Sequence, residues 1–246
     1  MRLALSTTAF ARALAAGELT QLELLDACAG ELHVDGVVLD AAQFPRRDAD
    51  YLAQIKKFCA DLALTIVAVR DDALTASESS ALVLASHLGA PYVLTRMPER
   101  GNDPVTRWNE ALGIIARAAS EAKKLNVTLA VRNVPGSLVA DNFELGRLRK
   151  ESDTAWLCFA LDPLALGAAP DEKVRKHLVL AYTDSDADQV VLERLAEFGG
   201  FLCVDASDGS GQLQSITRRL SAWRSSLAEA ELHARQPSVA EPHVPS

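Results

Sequence analysis

Short apolar runs alternate with longer stretches of helical period along this chain. The runs are Leu3 to Ser6, Val37 to Leu39, Leu64 to Val69, Tyr92 to Thr95, Thr128 to Arg132, Trp156 to Leu161, Leu178 to Ala181 and Phe201 to Val204. The stretches between them carry apolar residues on one side only. One holds Tyr51, Leu52, Ile55, Phe58, Cys59 and Leu62, another Trp108, Leu112, Ile115, Ala119 and Ala122, and the last Leu213, Ile216, Leu220, Trp223 and Leu227. Such a stripe needs something to pack on, and a buried parallel strand supplies it. Strand and helix in regular alternation predict a parallel sheet wrapped by helices.

Helix starts and stops support this phasing. Thr20 with Glu23 forms a capping box. Asp48 precedes the second stripe, Ser77 opens the helix that Gly89 closes, and Pro104 stands where a first helical turn tolerates it. Asp141 with Glu144, and Asp186 with Gln189, open two further helices, the second predicted to end at Gly199. The segment from Leu161 to Lys176 is the least regular. The expected fold class is α/β, a single (β/α)8 TIM barrel over residues 1–230, with a disordered tail over 231–246. A doubly wound open sheet is the rival. It places a Gly-rich phosphate loop after its first strand, where this chain has Ser6-Thr7-Thr8-Ala9-Phe10.

Length and composition fit one such barrel. The chain has 246 residues, close to the roughly 250 of the fold, and 49% are apolar. Its formal net charge of −8 argues against nucleic acid, because duplex binding needs a basic face that displaces counterions. No apolar run is long enough for a membrane span. Met1 to Ala16 is broken by Ser6-Thr7-Thr8 and Arg12, so it reads as the first strand and its loop rather than a signal peptide. Cys28, Cys59, Cys158 and Cys203 are widely spaced in apolar segments. They read as buried free thiols, which suits a cytoplasmic protein.

The strand ends resemble a known family. Leu129-Ala130-Val131-Arg132-Asn133-Val134-Pro135-Gly136 is similar to the fifth strand of the xylose-isomerase-like sugar isomerases and epimerases, which runs into Glu-Asn. Leu161-Asp162-Pro163 resembles the sixth strand, Leu88-Gly89-Ala90-Pro91-Tyr92-Val93 the junction into the fourth, and Phe201-Leu202-Cys203-Val204-Asp205 the eighth. The resemblance implies a divalent metal at the carboxyl end of the barrel, held by Glu, Asp, His and Glu from strands five to eight. Carried across, these positions hold Arg132, Asp162, an Ala181-Tyr182-Thr183-Asp184 stretch without the His, and Asp205. A further His is replaced near Ala165, and His177 stands at the wrong end of strand seven. A guanidinium repels a divalent cation and cannot be deprotonated, so the expectation is no metal and no other cofactor.

Arg132, Asp162 and Asp205 are therefore the candidate catalytic residues. Arg132 would take the metal's place, bridging the two aspartates in fork geometry; a purely structural ion pair is the competing reading. Arg70, Arg96, Asn133, Asp40 and Asp184 are candidate substrate-binding residues. Three arginines on adjacent strands suit an anion, although Arg70 and Arg96 could instead pair with Asp71 and Glu99. Asp40 could cap the next helix, and Asn133 could order its own turn. Gln43 could line the same mouth. The ligand expected is a small sugar or sugar-phosphate-like molecule. The leading reading is a sugar (phosphate) isomerase/epimerase-like barrel with a divergent, metal-free site. A non-catalytic ligand- or partner-binding barrel is the alternative. An apurinic-site endonuclease ranks last, because that branch needs several zinc ions in a His-rich mouth.

Overall fold

The computed structural model describes residues 1–72, 80–206 and 213–235. Eight parallel strands close on themselves in sequence order, so no strand edge is left unpaired. They are β1 (Arg2–Ser6), β2 (Gly36–Asp40), β3 (Thr65–Arg70), β4 (Tyr92–Arg96), β5 (Thr128–Arg132), β6 (Leu157–Leu161), β7 (Leu178–Thr183) and β8 (Phe201–Val204). The helices are α1 (Ala11–Ala16), α2 (Gln21–Gly30), α3 (Ala49–Asp61), α4 (Ser80–Leu88), α5 (Pro104–Leu125), α6 (Asn142–Ser152), α7 (Pro163–Leu166), α8 (Glu172–Arg175), α9 (Gln189–Arg194) and α10 (Leu213–Arg235). The chain is a single (β/α)8 TIM barrel, as its alternation predicts.

Most predicted caps form. Thr20 and Glu23 cap α2 reciprocally, Asp48 accepts from the Tyr51 amide, and Asp141 from the Glu144 amide. Gly89, at φ 74, ends α4 in the left-handed region that favours glycine. The predicted start of that helix at Ser77 lies outside the described residues. Four details differ. Met1 to Ala16 is more than a strand and loop, since it ends in the helix α1, closed by Gly17 at φ 71. The irregular segment after β6 holds the two short helices α7 and α8. Helix α9 is capped by Asp188 and stops at Arg194, well before Gly199; Asp186 instead faces Arg219 at 3.3 Å. Helix α10 runs through Arg235, into the stretch read as a tail; residues 236–246 lie outside the described residues.

Two cores hold the layers together. The larger lies between sheet and helices, where Leu39, Ile55, Phe159 and Trp223 are all fully buried. At about 25 cal/mol per Å² of apolar surface removed from water, this layer is the main stabilising term. The smaller core fills the barrel. Its alternate positions are small on several strands, at Ala4, Ala68, Ala130 and Ala160. Tyr182, Leu94 and Phe201 supply the bulk. Gly36 is required by close approach: a Cβ there would lie 2.6 Å from Val67 Cγ2 and 2.9 Å from Phe201 Cε1. No helix of the described residues is long and apolar enough to cross a membrane.

The register brings the charged strand ends together. Asp40 pairs with Arg70 across β2 and β3, and Arg96 with Arg132 across β4 and β5. These residues close their strands at the carboxyl end of the barrel, where this fold carries its chemistry.

Candidate functional site

Asp205 is the centre of the mouth. It is 3% exposed, and its direction is set by its backbone. Its amide donates to Thr183 O at 2.8 Å. The next residue, Ala206, turns sharply away at φ 42, a conformation that non-glycine residues adopt only when their surroundings enforce it.

Its carboxylate is crowded with donors. Thr8 Oγ1 donates to Oδ1 at 2.6 Å, and Ser6 Oγ in turn lies 2.7 Å from Thr8 Oγ1. Arg70 Nη1 lies 3.1 and 3.2 Å from the two oxygens. The Tyr182 hydroxyl, which accepts from the same Arg70 Nη1, adds to the stabilisation of its charge. Burial pushes the Asp205 carboxyl up, but Arg70, Thr8, Tyr182 and Arg132 together outweigh that and hold it below the usual carboxylate range. A carboxylate held ionised by several donors is a weaker proton acceptor than a free one.

Arg70 is the main partner, and Arg132 is not. Arg70 donates to Asp205, to the Tyr182 hydroxyl at 2.9 Å, and to Asp72 Oδ2 from Nη2 at 2.7 Å and Nε at 3.2 Å. Arg132 Nη2 stands 3.9 Å from Asp205 Oδ2. Its one hydrogen bond among the described residues is to Asp72 Oδ1, at 3.4 Å. Its guanidinium carbon lies 4.1 Å above the Tyr182 ring centroid, a cation–π contact. Burial drives the Tyr182 phenol far above its ordinary value, so it stays neutral. Beneath it the buried Cys203 thiol is raised too, by burial and then by Asp205.

The expected bridge from Arg132 to Asp162 is not made. Asp162 Oδ1 caps α7 instead, accepting from the amides of Leu164 at 2.9 Å and Ala165 at 3.1 Å. Asp162-Pro163 is a helix-start pair, with Pro at the first helical position, and the local bond wins because it needs no long-range partner. Asn133 ties the end of β5 to Asp162, donating to its carbonyl at 3.1 Å and accepting from its amide at 2.7 Å. Its amide group is committed there. Asp40 caps the turn after β2, accepting from the Ala42 amide at 2.8 Å; burial raises its carboxyl, against the Ala42 bond and Arg70. Asp184 is exposed and faces Arg219 of α10 at 3.4 Å. Gln43 donates to Thr7 O at 3.1 Å and borders a groove with Leu14, Leu19 and Tyr51. Arg96 is exposed and, among the described residues, makes no hydrogen bond or ion pair.

Sequence reasoning brought out Arg70, Arg132 and Asp205 but passed over Asp72, Thr8 and the inward role of Tyr182. β7 runs to Thr183, two residues beyond its predicted end, and that places Tyr182 inside the barrel. Asp72 carried one signal: it follows a strand-end arginine by two residues.

These donors do not suit a divalent cation. Both oxygens of Asp205 face a guanidinium, Asp162 is turned into a cap, and Arg132 stands where a carboxylate would be needed. Among the described residues, no three His, Cys, Asp or Glu side chains are grouped to hold a metal ion.

The closed eight-stranded order matches solved structures over almost the whole chain. L-ribulose 3-epimerase superposes with a TM-score of 0.72 at 15% identity, covering 99% of both chains. The chain has the xylose-isomerase-like barrel fold. The probable 3-DHS dehydratase of Bacillus anthracis involved in petrobactin synthesis gives 0.70 at 14% identity, over 90% of this chain and 99% of that one. D-psicose 3-epimerase, solved in the presence of D-fructose, gives 0.69 at 13% identity, over 94% and 99%. No protein-family model matches the sequence, and no curated protein matches it.

Proposed function

We propose that this xylose-isomerase-like barrel binds a small, hydroxylated, anion-bearing ligand at its mouth without a metal. The observation that carries the reading is Arg132. It sits over the Tyr182 ring with one long hydrogen bond among the described residues, so most of its five N–H donors are uncommitted there. Arg96, its cross-strand neighbour, is unpaired among the described residues. Guanidinium forks of this kind match carboxylate and phosphate groups. The epimerases among the structural neighbours make a sugar-like ligand the reasonable class.

Binding is favoured here over acid–base turnover. Moving a proton next to a carbonyl needs a group that changes protonation state near the working pH. Asp205 is held ionised by its donors, Asp162 is spent as a cap, and Tyr182 is held neutral. A one-base reaction through Asp205, with Arg132 as oxyanion stabiliser, would start from a carboxylate that its donors hold below the usual range.

Isothermal calorimetry at low salt tests the proposal, with gluconate, glucose 6-phosphate and glucose as probes. At least one anion is expected to bind about tenfold or more tighter than glucose, the neutral sugar lacking a partner for the arginines. Equal or better binding of glucose, or heat from none of the three in the millimolar range, would overturn the reading. The metal-free part has its own check. Elemental analysis after dialysis should find no stoichiometric Mn, Zn or Mg; a signal that survives in the wild type and falls in Asp205→Ala would contradict it.

A further inference from the structure

Asp72 lies where a ligand anion would lie. Its carboxylate spans the two arginines, Oδ2 taking both Nε and Nη2 of Arg70 and Oδ1 taking Nη1 of Arg132. It is not part of a strand. It belongs to the loop leaving β3 and is 32% exposed at its side chain, against 15% and 13% for the two arginines. Arg70 also has Asp205 and Tyr182 to hold it, whereas Arg132 has, among the described residues, one hydrogen bond at 3.4 Å, a 3.9 Å approach to Asp205 and the ring beneath it. The Asp72 carboxylate is thus more exposed than either arginine it joins.

We propose that the slot between Arg70 and Arg132 receives the carboxylate of a hydroxylated monocarboxylic acid, and that Asp72 is the internal occupant it displaces. This rests on the reading of the mouth as an anion site and adds the ligand's charged group and the residue that competes with it. Charge decides between carboxylate and phosphate. With Asp72 swung out, the ion-paired Arg70, Arg132 and Asp205 carry one net positive charge, and Asp40 beside Arg70 adds a further carboxylate that disfavours a dianion. A monoanion restores the balance that Asp72 provides. A phosphate dianion would leave one negative charge in excess beside the almost fully buried Asp205, where unpaired charge is costly. Arg96 is exposed to solvent outside this cluster, where its charge is screened.

A tethered competitor lowers apparent affinity by the fraction of time it fills the site. Removing it returns that factor. Calorimetric titration of wild type, Asp72→Asn and Asp72→Ala with gluconate and with glucose 6-phosphate reads it directly, and melting curves report whether each variant folds. Gluconate is expected to bind both variants about tenfold tighter than the wild type, with a gain of less than about threefold for glucose 6-phosphate. If wild type binds gluconate and neither variant tightens, Asp72 is a structural partner of the arginines and the displacement is wrong, while the anion mouth stands. An equal gain for the phosphate overturns the carboxylate assignment. No binding of either anion by any of the three proteins overturns the mouth itself. Should Asp72→Ala not fold, the near-isosteric Asp72→Asn decides; if that also fails to fold, Asp72 is structural and the proposal falls.

Discussion

Replacing Arg70 with methionine is expected to destabilise the folded chain by about 3–5 kcal/mol at neutral pH, the cost of leaving a buried charge without its partner. For a chain of this length that corresponds to a fall in melting temperature of roughly 6–20 °C. Asp205 is 3% exposed, and Arg70 is its nearest cation, at 3.1 Å. Arg132, at 3.9 Å and with no hydrogen bond to it, cannot replace that contact. The pH dependence has a definite sign. In the wild type the Asp205 carboxyl is depressed, so its contribution is present above its unfolded value near 3.9 and is lost as pH falls through the folded value. In Arg70→Met the same carboxyl is buried with its main partner gone, so its pKa rises, and protonation relieves it on acidification. The gap between the two proteins should narrow as pH falls from 7 towards 4. Adding Asp205→Asn to Arg70→Met should recover most of the loss. Wild-type melting of Arg70→Met across this range would show that the pair contributes nothing.

Arg132→Ala should do the reverse, sparing the fold and removing the ligand. Its partners among the described residues are one long hydrogen bond, a ring face and a 3.9 Å approach to Asp205, so a stability loss of about 1–2 kcal/mol is expected, the scale of a partly buried cation–π contact. Its ligand contacts would be charge-assisted and partly desolvated. Truncating one side of such a pair typically costs about 2–5 kcal/mol, which is a loss in affinity of roughly 30-fold or more. Arg132→Lys should restore little, because an ammonium lacks the planar fork and the stacking on Tyr182. Calorimetry with gluconate, beside melting curves, separates the two effects. A variant that melts far below the wild type yet binds as well would mean that Arg132 is an internal strut and that the mouth's ligand sits elsewhere.

The architecture could be read from the chain because it is written in local periods. Alternating apolar runs and one-sided helical stripes repeat along it, and each cap lies within a few residues of the amide it satisfies, as Thr20 with Glu23 and Asp48 with Tyr51. Such signals survive without knowledge of the tertiary fold. The strand ends were legible in the same way, so Arg70, Arg96, Arg132 and Asp205 could be assigned to one face of the barrel.

Their partners could not. Asp162 and Asp205 looked alike as acidic residues closing two strands, yet one caps the turn beside it and the other is buried against Arg70, 135 positions away. Asp72 gave no period and filled no family position, but it joins the two arginines. Sequence alone determined the barrel, most of its caps and the strand-end residues Arg70, Arg132 and Asp205 at the mouth, since those follow from spacing along the chain. Which charge neutralises which, and therefore which arginine remains open to a ligand, was decided by tertiary structure. That choice turns on differences of less than 1 Å between competing contacts, the 3.1 Å of Arg70 against the 3.9 Å of Arg132 at the same carboxylate, and such distances exist only once eight strands have closed.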